Sequence, residues 1–129
     1  MAAAFDAIGI AVTDLRASVT FYRLLGLEFP DPGPDDGHLE AATSSGVRVM
    51  LDTDAVVAGF DPTWQPTASR GRVGMAFLCA DAAEVDRTFA AVTAVGFAPH
   101  LDPFDAPWGQ RYASVLDPDG NVVDLFAPL

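Results

Sequence analysis

The chain has no lysine, a single cysteine, and no apolar run of the roughly 18 residues that a membrane-spanning helix needs. That cysteine, Cys79, lies inside an apolar stretch, so no disulfide forms within the chain and a cysteine-built zinc site is excluded. The opening MAAAFDAIGIAV lacks a basic region and meets Asp14 too soon for a signal peptide, so a cytoplasmic protein is expected. Positive charge is also scarce, with 7 basic residues against 18 acidic ones and a net charge of −11. This balance speaks against nucleic acid or an anionic membrane as partner, because both need a basic footprint. It suits a cationic ligand, although surface acid commonly does no more than keep an apolar protein soluble. No serine or cysteine sits in a recognisable nucleophile motif.

What is present is a core and a pattern. Half of the 129 residues are hydrophobic, enough for about one domain that buries roughly two-thirds of its unfolded surface. The most informative stretch is PWGQRYASVLDPDGNVVDLFA, from Pro107 to Ala127. Its Asp117-Pro118-Asp119-Gly120-Asn121 segment reads as a turn, since proline presets φ and glycine accepts the positive φ of a tight hairpin. If Asp117 and Asn121 close it, Ser114 pairs with Asp124, Tyr112 with Phe126 and Val115 with Val123. One face of the hairpin is then apolar, with Ala113, Val115, Val123 and Leu125. The other carries Tyr112, Ser114, Asp124 and Phe126, a mixture suited to the wall of a site.

The chain also repeats itself. A strand over residues 4–12, a helix capped by Asp14 and stopped by Gly26, and strands at 27–29, 38–43 and 47–51 give the order βαβββ. The second half offers a strand at 73–79, a helix between Asp81 and Gly96, and strands at 97–101, 111–116 and 122–126. A constant offset sets Ile8, Ile10, Val12 and Asp14 on Met75, Phe77, Cys79 and Asp81. A larger one sets Gly46, Val49 and Leu51 on Gly120, Val123 and Leu125, which makes duplication the better account. The expectation is one α+β domain over 1–129, built of two βαβββ modules at about 4–52 and 72–127 with a linker at about 53–71. Two curved sheets would then enclose a cleft, floored by the small Ala7, Gly9, Ala11, Gly74 and Ala76 together with Leu78.

The paired module, the opening IGIAVTDLRASVTFYRLLGLEF and the closing WGQRYASVLDPDGNVVDLFAP resemble the vicinal oxygen chelate superfamily. That superfamily contains glyoxalase I, extradiol dioxygenases, fosfomycin-resistance enzymes and bleomycin-resistance proteins. Asp14-Leu15, the Phe21-Tyr22 pair, Gly26 and the DPDGN turn carry the resemblance, which spans nearly the whole chain. In metal-using members it implies ligands at four positions, which fall here on Ala7, Met50, Gly74 and Asp124. Only Asp124 among them offers a ligand for a divalent cation, whereas a catalytic metal takes about three protein ligands. A rearranged set of His38, Glu40 and Asp124 is the alternative, although a histidine near a strand start is more often a hydrogen-bonded surface residue. His38 and His100 occupy equivalent second strands by the repeat.

The expected site contains no metal or other cofactor. Arg48 and Met50 should face the cleft from the first module, with Glu40 or Asp124 as the natural salt-bridge partner of Arg48. Trp64 in the linker, and Phe104 and Trp108 in the loop before the hairpin, are aromatic lids, and Tyr112, Ser114, Asp124 and Phe126 form the wall. The resemblance is closest in character to the metal-free bleomycin-resistance branch. It implies a homodimer that binds a small molecule, as in drug sequestration, and the acidic and aromatic residues suit a planar, cationic one. The competing reading is an enzyme, either a metal-dependent lyase, isomerase or dioxygenase with shifted ligands or a metal-free isomerase with Asp124 or His38 as base. A third reading is a stabilising subunit that has lost catalysis.

Overall fold

The computed structural model describes residues 2–67 and 72–129 of the chain. In order, the elements are β1 (Ala7–Val12), α1 (Leu15–Leu24), β2 (His38–Ala42), β3 (Arg48–Thr53), α2 (Asp54–Phe60), β4 (Met75–Leu78), α3 (Ala82–Val95), β5 (Pro99–Ala106), β6 (Gln110–Leu116) and β7 (Val122–Pro128). The fold class is α+β, with two sheets that fall into two units, Met1–Thr67 and Ala68–Leu129.

In the first unit the sheet order is β1-β3-β2, with β1 parallel to β3 and β2 antiparallel to it. Asp14 caps α1 by accepting a bond from Ala17 N, and Gly26 takes a φ of 95° that ends the helical path. Ile10, Val12, Leu39, Val49 and Leu51 bury one face of the sheet, and α1 adds Leu15, Val19, Phe21 and Tyr22. Each such side chain contributes about 1.5–3 kcal/mol on leaving water, so this face outweighs any single polar contact in the unit.

The second unit repeats the scheme with one more strand. Its order is β4-β7-β6-β5, with β4 parallel to β7 and the other neighbours antiparallel. Asp81 caps α3 through Glu84 N, and Gly96 ends it at a φ of 112°. Ala113, Val115, Val123 and Leu125 are fully buried with Val85 and Val92 of the helix. Arg111 extends its guanidinium from β6 to both carboxylate oxygens of Asp86 on α3, which fixes this as the helix-covered face.

The repeat read from sequence reappears in the strand register. Ile8 pairs with Val49 and Ile10 with Leu51, while Met75 pairs with Val123 and Phe77 with Leu125. The β6–β7 hairpin also has the expected pairs, Ser114 with Asp124, Tyr112 with Phe126 and Val115 with Val123. Its turn is closed by Asp117 N donating to Asn121 O at 2.9 Å.

Four expectations need correction. Residues 27–29 form no strand: Gly26 and Pro30 bound them, Leu27 N returns to Tyr22 O, and Arg23 donates to Phe29 O while Leu27 and Phe29 bury their side chains. The described part of the first unit therefore has three strands. Within the expected linker, Thr53 caps α2 by accepting from Val56 N, a Thr-Asp start that sequence reading passed over. The end of that linker, residues 68–71, lies outside the described residues. Phe104 belongs to β5 and not to a loop, because that strand continues past a bulge beside Pro103, whose missing N–H suits a break in the ladder. Finally, His38 and His100 are not equivalent: β2 and β6 both run antiparallel to the strand that also pairs with the first of its unit, so His38 corresponds to Tyr112.

Candidate functional site

Away from α3, the second sheet places Tyr112 and Ser114 on β6 beside Phe126 and Asp124 on β7. Ala76 and Leu78 lie across from Asp124 and Phe126 on β4, and Leu101 and Phe104 across from Ser114 and Tyr112 on β5. Leu78 is 68% exposed and Trp108, in the turn between β5 and β6, 58% exposed. Phe104, Trp108 and Tyr112 meet edge to face, with centroids 5.3 Å apart for Trp108–Tyr112 and 6.0 Å for Phe104–Tyr112. Trp108 Nε1 donates to Gln110 Oε1, which holds the indole over the strand.

Asp124 stands at the centre of this aromatic face. Tyr112 Oη donates to Asp124 Oδ2 at 2.6 Å, and Ser114 Oγ donates to Oδ1 at 2.5 Å. Among the described residues no arginine or histidine pairs with this carboxylate. Burial first, and the bond to Asp124 second, push the Tyr112 phenol up to about 12. Both hydroxyl protons are thereby committed to Asp124; Ser114 itself is buried, so the oxygens left to face outward are those of Asp124 and Tyr112 Oη, with only lone pairs to offer. The middle of the face presents hydrogen-bond acceptors alone.

Of the nine residues expected at a site, Phe104, Trp108, Tyr112, Ser114, Asp124 and Phe126 share the second unit, and Phe104, Tyr112, Ser114, Asp124 and Phe126 are tied by cross-strand pairing. Arg48, Met50 and Trp64 belong to the first unit. Arg48 is bound by Asp6 at 2.6 Å and Glu40 at 2.9 Å, the former a partner that sequence reading did not consider. Met50 lies between Gly9 and Glu40 on the same sheet face. Trp64 is half-buried in the turn after α2, its N–H bonded to Asp61 O. Leu78 and Leu101 were not singled out as ligand-contacting residues; the exposed, outward parity of an apolar strand residue is the signal that finds them.

The four positions at which the resemblance implies metal ligands do not fit a metal. Ala7 offers a methyl group, Met50 a thioether and Gly74 no side chain, while both oxygens of Asp124 already accept hydroxyl bonds. Among the described residues no group of three or more His, Cys, Asp or Glu side chains is placed to hold an ion. His38 and Glu40 are bonded to each other at 3.0 Å.

A family model covers residues 4–125, and the chain belongs to the Glyoxalase/Bleomycin resistance protein/Dioxygenase superfamily. Solved structures with the same fold include a glyoxalase/bleomycin resistance protein/dioxygenase family enzyme from Burkholderia phytofirmans PsJN, at 18% identity and a TM-score of 0.82 over 98% of this chain and 100% of that one. A glyoxalase-related enzyme from Fulvimarina pelagi matches at 20% identity and a TM-score of 0.80, over 95% and 86% of the two chains. A lactoylglutathione lyase from Agrobacterium tumefaciens matches at 22% identity and a TM-score of 0.70, over 98% and 95%. No curated protein matches the sequence. No helix among the described residues is long and apolar enough to cross a membrane.

Proposed function

We propose that this protein binds a small organic cation on the aromatic face of its second sheet, without a metal. The observation that carries this reading is the acceptor-only centre: Asp124, with Tyr112 and Ser114 both donating to it, has no cationic partner among the described residues. A ligand with an ammonium, amidinium or similar N–H donor completes that centre, and a flat apolar body suits Trp108, Phe104, Phe126 and Leu78 around it. A carboxylate or phosphate ligand would face like charge and find no donor there. The net charge of −11 favours approach of a cation over long range. On this reading the function is binding, as the resemblance to the bleomycin-resistance branch implies, and the same resemblance makes a homodimer the active species.

The test uses benzamidine as the cation, benzamide as its neutral isostere and benzoate as the anion, with Trp108 fluorescence and calorimetry as readouts. Benzamidinium should bind and change the emission of Trp108, and benzoate should not. Asp124→Asn should weaken that binding about tenfold or more, since a charge-assisted bond is lost. Equal binding of benzoate, or an affinity unchanged in Asp124→Asn, overturns the reading. So does a stoichiometric divalent ion in protein purified without chelator.

A further inference from the structure

On the first sheet, away from its buried face, a chain of five charged side chains runs across the strands. Asp52 Oδ1 on β3 lies 2.5 Å from His38 Nδ1 on β2, and His38 Nε2 lies 3.0 Å from Glu40 Oε2. Glu40 Oε1 then accepts from Arg48 Nη1 at 2.9 Å, and Arg48 Nη2 donates to Asp6 Oδ2 at 2.6 Å. A carboxylate accepts hydrogen bonds and donates none, so both ring nitrogens of His38 must carry protons for both contacts to hold. A neutral imidazole would turn one lone pair toward a carboxylate.

Besides the ion chain, the strand involved is held by its ladder to β3 and by the buried Leu39 and Ala41. β2 is five residues long and, among the described residues, lies at the sheet edge with β3 as its one strand neighbour. Its first residue is His38, opposite Asp52, and Asp52 is the better shielded of the two, with a side chain 16% exposed against 45% for His38.

We propose that His38 is a proton-operated latch for edge strand β2: as an imidazolium it bolts β2 to β3 through Asp52, and on losing a proton it lets that strand loosen. The charges that bear on it are Glu40 from β2, Asp52 from β3, and Arg48 and Asp6 in turn through Glu40. In the loop ahead of β2, Asp36 is turned to Gly33 N. Asp54 is the charged residue of α2. The arginines of α1 are engaged elsewhere, Arg16 with Pro32 O and Arg23 with Phe29 O and Asp31. With the proton the chain holds three anions and two cations, and without it the imbalance doubles. The bond to Asp52 first, then the one to Glu40, raises the proton affinity of His38 above its ordinary value of 6.5. A group whose affinity is raised by folding stabilises fully below its unfolded pKa and loses that contribution as pH climbs through the folded one. The latch therefore opens on the alkaline side of 6.5.

Nitrogen-detected NMR of the His38 ring in the full chain, with amide exchange across pH, tests this. Both ring nitrogens should be protonated at the start of the titration, and the midpoint should lie above 6.5 and fall in Asp52→Asn and in Glu40→Gln. Exchange of the β2 amides should accelerate about five- to tenfold beyond the intrinsic rise with pH, following that midpoint, while β6 and β7 amides keep the intrinsic slope. His38→Asn should remove the step. A single neutral tautomer throughout, a midpoint that neither carboxylate variant moves, or β2 exchange without a step overturns the proposal. Benzamidine is absent from these measurements, so their failure leaves the binding reading standing and the converse.

Discussion

The two sheet faces occupy matching places in a repeated scheme and have opposite chemistry. Glu40 pairs with Met50 in the first unit where Ser114 pairs with Asp124 in the second, and His38 pairs with Asp52 where Tyr112 pairs with Phe126. The first face satisfies its charges internally, in alternating sign. The second has replaced charge with aromatic and hydroxyl groups and kept one carboxylate without a cation among the described residues. A closed ion chain is a structural device, exposed enough for solvent to screen each pair. A lone carboxylate on an aromatic surface is what the proposed recognition of a cation rests on, and on that proposal the two roles fall to different units.

The turns give the sharpest way to break the comparison. Asp117, 4% exposed, accepts from Asp119 N and Asn121 N through Oδ1 and from Asn121 Nδ2 through Oδ2. The matching turn of the first unit has Thr43, bonded to Val47 O and Ser45. Chemical denaturation should find Asp117→Ala destabilising by about 2–3 kcal/mol and Thr43→Ala by about 1 kcal/mol. Equal losses would mean that the hairpin register does not depend on the side-chain turn.

A smaller effect sharpens the contrast between Tyr112 and its counterpart His38. Tyr112→Phe should cost about 1 kcal/mol near neutral pH, through the bond to Asp124. In the parent protein burial and the bond to Asp124 push the phenol up from 10 to about 12, so the folded chain holds that proton more tightly than the unfolded one. Stability from this source is complete below 10 and is lost as pH rises toward 12, the same sign as His38 in a far more alkaline window. Tyrosinate absorbance should place that ionisation, and Asp124→Asn should lower it. An unchanged midpoint in the variant would show that burial alone sets it.

The smallest change concerns the helices. Ser18 of α1 is fully buried and its Oγ has no hydrogen-bond partner among the described residues, while the matching position of α3 is the fully buried Val85. Removing an orphaned hydroxyl and raising helix propensity at once, Ser18→Ala should stabilise the chain by about 0.5 kcal/mol, read from the unfolding midpoint. A loss of stability would show that the hydroxyl finds a bond in solution.

The second hairpin was legible from sequence because turn chemistry and parity act locally: Asp117-Pro118-Asp119-Gly120-Asn121 fixes the register, and register fixes which side chains share a face. The caps of α1 and α3, Asp14 and Asp81, were legible for the same reason. Residues 27–29 misled because an apolar triplet reads alike as a strand or as a packed loop, and only the presence of a neighbouring edge decides. The ion chain was illegible beyond Glu40 because Asp6 reaches Arg48 across 42 positions of sequence. Tyr112 and Asp124 could be placed opposite one another, but the commitment of both hydroxyl protons to one carboxylate is a matter of rotamers that spacing does not determine.

In each unit the strand made last is not an edge. β3 sits between β1 and β2, and β7 between β4 and β6. Neither sheet can be built outward from its N-terminal strand, since β1 and β4 have no partner until the chain has gone through a helix and come back. Closing those parallel pairs is a long-range event, slow beside the β6–β7 hairpin, whose contacts are local. During synthesis β4 would wait unpaired until Val122–Pro128 has cleared the ribosome, and a chain stopped after β6 would lack the middle of its second sheet and Asp124 with it.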